Sequence, residues 1–427
     1  MKVKLYTLGC KVNQYETEEI TEQLLKNGYA ITLDDNEADV FVVNSCTVTA
    51  ESDRKTRQLV RRLKRNHPES VVVLTGCMPQ AFPKEAADLT AADIVIGNKN
   101  NVQLLEKLRA YFENRTRLVS VSQHQSGEPF LGAPITDFHE RTRAIIKIED
   151  GCDRFCSYCI IPTARGRVRS KPIAEIEKEA QTLSEAGYRE LVLVGINLSA
   201  YGKDSGEKFT DAVKAACAPS GVLRVRLGSL EPDHITDEVI EALAKLPKLC
   251  PQFHISLQSG CDRTLSRMNR HYTAEEYFSL AEKLRAAFPD CTLTTDMMVG
   301  FAGETEADFE ESVSFAEKIG FEKIHVFPYS VREGTRAATF GDQLEKNVKE
   351  RRTAKLLSVA AELRAAFLQK QIGKTVEVLC ERKTENGLHF GYTANYTPVY
   401  FESAEAKPGA LCRVRLAKTD GDAAYGA

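Results

Sequence analysis

Three short strand-like runs each end in a cysteine, and this arrangement constrains the fold more than any other feature of the chain. Residues 3–7 run into Leu8-Gly9-Cys10, residues 40–43 into Asn44-Ser45-Cys46, and residues 71–74 into Thr75-Gly76-Cys77. Apolar, largely β-branched runs separated by helical patterns read as a parallel sheet buried on both faces. The carboxyl ends of parallel strands share one edge, where open α/β folds place their sites. Three thiols from distant parts of the chain are therefore expected to converge. A fourth run, residues 93–96, ends in Gly97-Asn98 and offers no thiol.

A second constellation is local. Gly151-Cys152-Asp153-Arg154-Phe155-Cys156-Ser157-Tyr158-Cys159 sets three thiols at Cx3Cx2C spacing just after another predicted strand. Thiolates are the usual ligands of iron-sulfur clusters, and this spacing lets one loop wrap a cube. Three ligands leave one iron open. An open iron is what S-adenosylmethionine (SAM) needs for chelation and for reductive cleavage to a 5′-deoxyadenosyl radical, with the cofactors carrying the hard chemistry. A structural zinc knuckle is the competing reading; it wants a fourth ligand, and His139 is the candidate. Cys10, Cys46 and Cys77 have a plain alternative too, as small buried residues. Their common offset past a strand favours a second three-thiolate site. Cys217, Cys250, Cys261, Cys291, Cys380 and Cys412 share no such geometry and read as packing residues.

Compartment follows from the same residues. The start, MKVKLYTLGCK, lacks the apolar core of a signal peptide, and no run approaches the length of a membrane span. A cytoplasmic protein with no membrane partner is expected, its 12 cysteines kept as thiols for metal binding or packing. With 57 basic and 60 acidic residues the net charge is −3, so attraction to nucleic acid must come from local patches.

The 427 residues divide by pattern into an α/β chain of three parts. Residues 1–116 form the parallel α/β sheet domain, and residues 117–138, polar with Gly127, Pro129, Gly132 and Pro134, read as a linker. Residues 139–370 carry six strand-helix units, near 144–149, 190–194, 222–228, 252–257, 292–299 and 323–328, which point to a partial (β/α)6 TIM-like barrel. Thr273 with Glu276 is a capping-box signal, and a helix over 345–371 closes the domain. Residues 371–427 alternate as a small antiparallel β-barrel.

These motifs resemble the radical SAM methylthiotransferases along nearly the whole chain. The similarity is carried by the Cx3Cx2C loop with Ile161-Pro162-Thr163-Ala164-Arg165-Gly166-Arg167, by His254-Ile255-Ser256-Leu257-Gln258-Ser259-Gly260, and by the segment DMMVGFAGE from Asp296 to Glu304. TLGCKVNQYE, NSC and TGC resemble the family's auxiliary-cluster domain, and the carboxyl-terminal segment resembles a TRAM domain, a small RNA-binding barrel. Around the first cysteine, and in Gly391-Tyr392-Thr393-Ala394-Asn395-Tyr396, the chain looks most like the branch acting on N6-threonylcarbamoyladenosine at position 37 of tRNA. The resemblance implies two 4Fe-4S clusters, one on Cys152, Cys156 and Cys159 that cleaves SAM and one on Cys10, Cys46 and Cys77 that gives up sulfur. It also implies the anticodon loop of tRNA as partner, with an electron donor such as flavodoxin or ferredoxin.

SAM contacts are expected at the carboxyl ends of barrel strands. Gly195, Asn197, Ser229, Glu231 and Gln258 are so placed, although each alone fits ordinary turn chemistry. Arg61 and Arg62, in a dense basic helix, suit phosphate contact, as would a solvated helix face. Arg165, Arg167, Arg169 and Lys171, beside the cluster loop, are expected to hold RNA near the radical. His389, Phe390, Tyr392, Tyr396, Tyr400 and Phe401 are candidates for base stacking, half of them destined for the barrel core by alternation. Rival readings are the same chemistry on isopentenyladenosine or on a ribosomal-protein aspartate, a non-catalytic iron-sulfur RNA-binding protein, and an amino-terminal cluster that relays electrons.

Overall fold

The computed structural model describes residues 1–138 and 142–426, so His139, the conceivable fourth zinc ligand, lies outside the described residues. The first part runs β1 (Lys2–Thr7), α1 (Lys11–Lys26), β2 (Ala30–Ile31), β3 (Val40–Ser45), α2 (Ala50–Asn66), β4 (Val71–Gly76), α3 (Cys77–Ala81), α4 (Pro83–Ala87), β5 (Ile94–Ile96), α5 (Leu104–Asn114) and β6 (Leu118–Ser120). Its strands form one all-parallel sheet in the order β2-β1-β3-β4-β5-β6. Every residue of β3 and β4 is buried. Their valines alternate between two apolar layers, one under α2 and the other under α1 and α5. Full burial of such a side chain contributes about 1.5–3 kcal/mol, so both covers hold the sheet.

The linker reading needs one correction. Leu118–Ser120 pairs in parallel with Ile94–Ile96 as the sheet's sixth strand, an edge too short to show a periodic signal. The rest is strapped down. Glu19 and Glu22 of α1 accept backbone N–H groups of Ala133 and Thr136, and Ile135 and Phe138 are 1% exposed.

The middle part runs β7 (Arg143–Lys147), β8 (Glu149–Asp150), α6 (Ile161–Arg165), β9 (Arg169–Ser170), α7 (Ile173–Glu185), β10 (Glu190–Val194), α8 (Phe209–Cys217), β11 (Arg224–Leu227), β12 (Ser229–Leu230), α9 (Asp237–Ala244), β13 (Gln252–Ile255), α10 (Asp262–Arg267), α11 (Ala274–Ala287), β14 (Thr292–Val299), α12 (Glu306–Ile319), β15 (Lys323–Pro328) and α13 (Lys346–Gln371). Two parallel arcs, β7-β10-β11 and β12-β13-β14-β15, meet at β11 and β12 and leave β7 and β15 as free edges of an open barrel. The predicted capping box starts α11, with Thr273 and Glu276 satisfying each other's backbone N–H. Val12 and Tyr15 of α1 belong to the barrel's own apolar core, which joins the first two parts into one packed body.

The last part, β16 (Thr375–Lys383), β17 (His389–Thr393), β18 (Pro398–Phe401), β19 (Leu411–Thr419) and β20 (Ala424–Gly426), closes into a barrel in the order β16-β17-β18-β20-β19. It seats against the amino ends of the larger barrel's strands. Arg224 donates to the carbonyls of Glu377 (2.9 Å) and Tyr392 (3.2 Å), and Thr292 donates to that of Asn395 (2.8 Å). Among the described residues, no helix is long and apolar enough to cross a membrane.

Candidate active site

The sheet register brings the first three cysteines together. Thr7 pairs with Asn44, Asn44 with Thr75 and Ser45 with Gly76, so Cys10, Cys46 and Cys77 all lie just past one edge. Gly76 makes the turn into α3 with φ +95°; a Cβ there would stand 2.4 Å from the Ser45 carbonyl oxygen. Buried Asn13 is the hub. Its Nδ2 donates to Asn44 Oδ1 (3.2 Å) and to the Ser45 carbonyl (3.3 Å), and its Oδ1 lies 3.4 Å from Cys10 Sγ. Burial raises the Cys46 thiol and pushes the Cys77 thiol up to about 12, with the neighbouring thiols of the triad adding to the rise. Burial favours the protonated thiols even against the Arg165 charge beside Cys77; a bound metal cation releases them as thiolates.

The second triad stays in its loop after β7. Cys156 is buried, Cys152 and Cys159 are half-buried, and burial pushes the Cys152 thiol up to about 12 and raises that of Cys159. Both triads receive one buried arginine. Arg165 Nε donates to Cys77 Sγ at 3.2 Å while its other nitrogens pair with Glu16. Arg270 Nη1 donates to Cys156 Sγ at 3.3 Å while Nη2 pairs with Glu231. A fixed cation hydrogen-bonded to a ligand sulfur suits an anionic thiolate cluster, so each donor set fits a three-cysteine iron-sulfur site. Asn13, Glu16 and Arg270 escaped the sequence reading because each works through a partner distant in sequence.

Of the residues expected to meet SAM, Asn197 and Glu231 stand beside the second triad. Asn197 Nδ2 lies 3.8 Å from Cys152 Sγ. Glu231 pairs with Arg154 and Arg270, Gln258 follows β13 with φ +67°, and Ser229 is exposed to the interior beside Gly228. Glu149, also missed, sits behind Gly195, where a Cβ would stand 2.5 Å from Glu149 Oε2. That oxygen accepts the Asn197 N–H at 2.7 Å; Oε1 is buried without a partner, and burial holds the carboxyl well above its ordinary range. A buried carboxyl with one oxygen unpartnered fits a ligand that carries an ammonium group, whose charge would favour the carboxylate.

Between the parts lies a chamber of about 850 Å³. Gly9, Cys10 and Lys11 line it from the sheet edge, Gly195 and Ser229 from the upper barrel, Arg226, His254, Asp296 and His325 from the barrel interior, and Tyr392, Tyr396 and Tyr400 from the small barrel. Its size suits a nucleoside-sized ligand. His254, Asp296 and His325 stand on adjacent strands with their polar atoms within 4.8 Å of one another, a grouping that only the register of β13, β14 and β15 reveals. The aromatic question is also answered. His389 and Phe401 turn into the small barrel (4% and 1% exposed), while Phe390, Tyr392, Tyr396, Tyr400 and Tyr425 line the chamber, Tyr392 and Tyr396 stacked at 4.3 Å and 12°.

The basic residues divide. Arg165, Arg169 and Lys171 are 1%, 6% and 0% exposed, so the expectation that they touch RNA is corrected. Arg165 braces Cys77, Arg169 donates to the carbonyls of Arg165 and Arg167, and Lys171 is paired with Glu179. Arg167 alone of the four is exposed, its guanidinium 4.6 Å from the ring centroid of exposed Phe155. Arg61 and Arg62 are exposed on α2.

Three family descriptions match successive stretches: the Uncharacterized protein family UPF0004 over residues 2–97, the Radical SAM superfamily over 146–316 and the TRAM domain over 369–426. The chain is 39% identical over 422 residues to the Threonylcarbamoyladenosine tRNA methylthiotransferase MtaB of Bacillus subtilis, covering 97% of this chain and 94% of that protein. It is 38% identical to the protein of the same description from Thermotoga maritima, over 92% of this chain and 90% of that one. A tRNA-2-methylthio-N(6)-dimethylallyladenosine synthase of Clostridium botulinum is 35% identical, over 97% and 94%. Among solved structures, the radical SAM methyltransferase TsrM from Kitasatospora setae shares the fold, with a TM-score of 0.56 at 16% identity over 77% of this chain and 74% of that one. With both cysteine triads in place and relatives aligned from end to end, the chain belongs to the radical SAM methylthiotransferase family.

Proposed function

We propose that the protein adds a methylthio group to C2 of N6-threonylcarbamoyladenosine at position 37 of tRNA. The observation that carries this reading is the chamber that has Cys10 of one triad, Gly195 and Ser229 past the strands of the larger barrel, and the tyrosines of the small barrel in its walls. When bound, two 4Fe-4S clusters and two equivalents of SAM would supply the transferable sulfur, the methyl group that it carries and the hydrogen-abstracting radical. Cys152, Cys156 and Cys159 hold the cluster that binds SAM; Gly195, Asn197, Ser229, Glu231 and Gln258 position SAM, and Glu149 accepts its ammonium. Cys10, Cys46 and Cys77 hold the sulfur-giving cluster. The chamber tyrosines take an unstacked anticodon-loop base, as aromatic side chains do for single-stranded RNA. Arg167, Arg61 and Arg62 meet phosphate, and a flavodoxin or ferredoxin delivers the electron.

Two relatives named for threonylcarbamoyladenosine, at 39% and 38% identity, support the choice of nucleoside. The test is anaerobic incubation of the reconstituted, reduced protein with SAM and tRNA bearing threonylcarbamoyladenosine, followed by digestion and mass spectrometry. One added methylthio group on that nucleoside, with 5′-deoxyadenosine, is the expected result. Product on dimethylallyladenosine instead would reassign the nucleoside, and 5′-deoxyadenosine with neither product would reassign the acceptor.

A further inference from the structure

Lys11 follows the cluster ligand Cys10, and its side chain enters the chamber. Apart from Lys323, the other interior cations around it are matched. Arg226 Nε donates to Glu190 (2.9 Å) and Nη1 to the Ala394 carbonyl (3.0 Å), Arg364 pairs with Glu322 (2.5 Å), and Arg143, in the adjoining pocket that Lys11 also lines, pairs with Glu381 (2.7 Å). His254 rests on Thr294 (3.0 Å) and Asp296 (3.5 Å). Among the described residues, Lys11 has no hydrogen-bond or ion-pair partner for its ammonium. Lys323, which also lines the chamber unpaired, begins β15 well away in the chain from either triad. Nor does local structure call for a cation at position 11. It is the first residue of α1, where the helix dipole disfavours positive charge, and the first turn holds no acidic residue.

Substrate geometry says what this charge meets. C2 and the N6 substituent of adenine share one edge of the ring, so a ring whose C2 approaches the sulfur held beside Cys10 carries its N6 group along the same wall. Consecutive Cα atoms are about 3.8 Å apart, and a lysine stem spans the rest. A threonylcarbamoyl group ends in a carboxylate; a prenyl group ends in hydrocarbon and would leave the ammonium unpaired in a confined site. We propose that Lys11 is the counter-ion of the threonyl carboxylate and the residue that selects a carboxylate-bearing N6 group over an apolar one. This rests on the nucleoside proposed above.

The test uses the cluster-loaded full chain and two anticodon stem-loops, one with threonylcarbamoyladenosine and one with its threonine carboxylate replaced by carboxamide. Affinity is read by fluorescence anisotropy and turnover by mass spectrometry. The natural protein should prefer the carboxylate by about 10- to 100-fold in kcat/KM, the range of a charged hydrogen bond. Lys11→Gln should bring the two substrates within about twofold, and Lys11→Arg should keep most of the preference. Because the ratio is taken within each protein, an unfolded or unloaded fraction cancels. Equal use of both stem-loops by the natural protein overturns the assignment, as does an unchanged preference in Lys11→Gln. If the natural protein binds the carboxylate form better yet makes no methylthio product, the recognition stands and the proposed reaction falls.

Discussion

The two cysteine triads perform the same task by opposite routes. Cys152, Cys156 and Cys159 sit in one loop of eight residues from first to last, whereas Cys10, Cys46 and Cys77 are one to a strand end and meet only because β1, β3 and β4 are neighbours in register. A local triad survives strain elsewhere in the fold; a convergent one depends on the whole sheet. Yet each is completed alike, by a buried arginine bonded to one sulfur and held by a glutamate. Arg165 adds an asymmetry, since it leaves the barrel's own loop to brace the other domain's cysteine. The local site thus reaches over to stabilise the convergent one.

The most severe way to break the comparison is to delete ligands. Cys152→Ala is expected to abolish both 5′-deoxyadenosine and methylthio product, while Cys46→Ala abolishes product and leaves SAM cleavage running. Chromatography of the small molecules and mass spectrometry of the RNA separate these outcomes. Loss of 5′-deoxyadenosine in Cys46→Ala would mean that the triads are not separable through the Arg165 bridge.

The same contrast explains what was legible in the sequence. The local triad is a spacing, so the motif alone displays it. The convergent triad was readable because Leu8-Gly9-Cys10, Ser45-Cys46 and Gly76-Cys77 follow similar apolar runs, and parallel pairing turns a shared offset into a shared edge. Pairings across the chain were not legible. Arg165 to Glu16 and Arg270 to Glu231 involve residues that look like ordinary surface charges until the domains pack. For this reason Arg165, Arg169 and Lys171 read as an RNA-binding strip: a basic run in a loop carries no mark of burial, and each cation's partner lies elsewhere in the fold. The edge strand Leu118–Ser120 hid for a related reason, its pairing set by backbone bonds to Ile94–Ile96.

The paired arginines sharpen the comparison by a smaller effect. A cation donating to a cluster ligand favours the reduced, more negative state, and losing a charged hydrogen bond lowers the reduction potential by on the order of 60 mV or more. Arg270→Gln should lower the potential of the SAM-binding cluster alone and Arg165→Gln that of the other, as read by electron paramagnetic resonance during redox titration. Arg165→Gln also strips Glu16 of its bidentate partner in a buried setting, and should cost about 3–5 kcal/mol of stability in a denaturant melt. Equal shifts of both potentials in either variant would show that the arginines act through the overall field of the protein and not through the sulfur each one touches.

The smallest effect tests whether the two enclosures are equivalent before any metal enters. Burial pushes both the Cys77 and the Cys152 thiol up to about 12 from an unfolded value of 9.0. In the metal-free protein, thiols of the unfolded chain ionise above pH 9 while these two stay protonated, so the unfolded state binds fewer protons and stability falls as pH rises from about 9 toward 12. Each such thiol contributes about 1.4 kcal/mol of loss per pH unit in that window, and nothing below it. Denaturant melts of the anaerobic, metal-free protein between pH 8 and 10.5 should therefore steepen above 9, with Cys77→Ala and Cys152→Ala each removing an equal share of the slope. Loading the clusters should abolish that share altogether, since a metal-bound thiolate has already given up its proton. A slope that Cys152→Ala lowers and Cys77→Ala does not would show that the convergent site opens to water without its metal. The local loop would then be the one enclosure formed in advance, and the sheet edge would be completed by the cluster it holds.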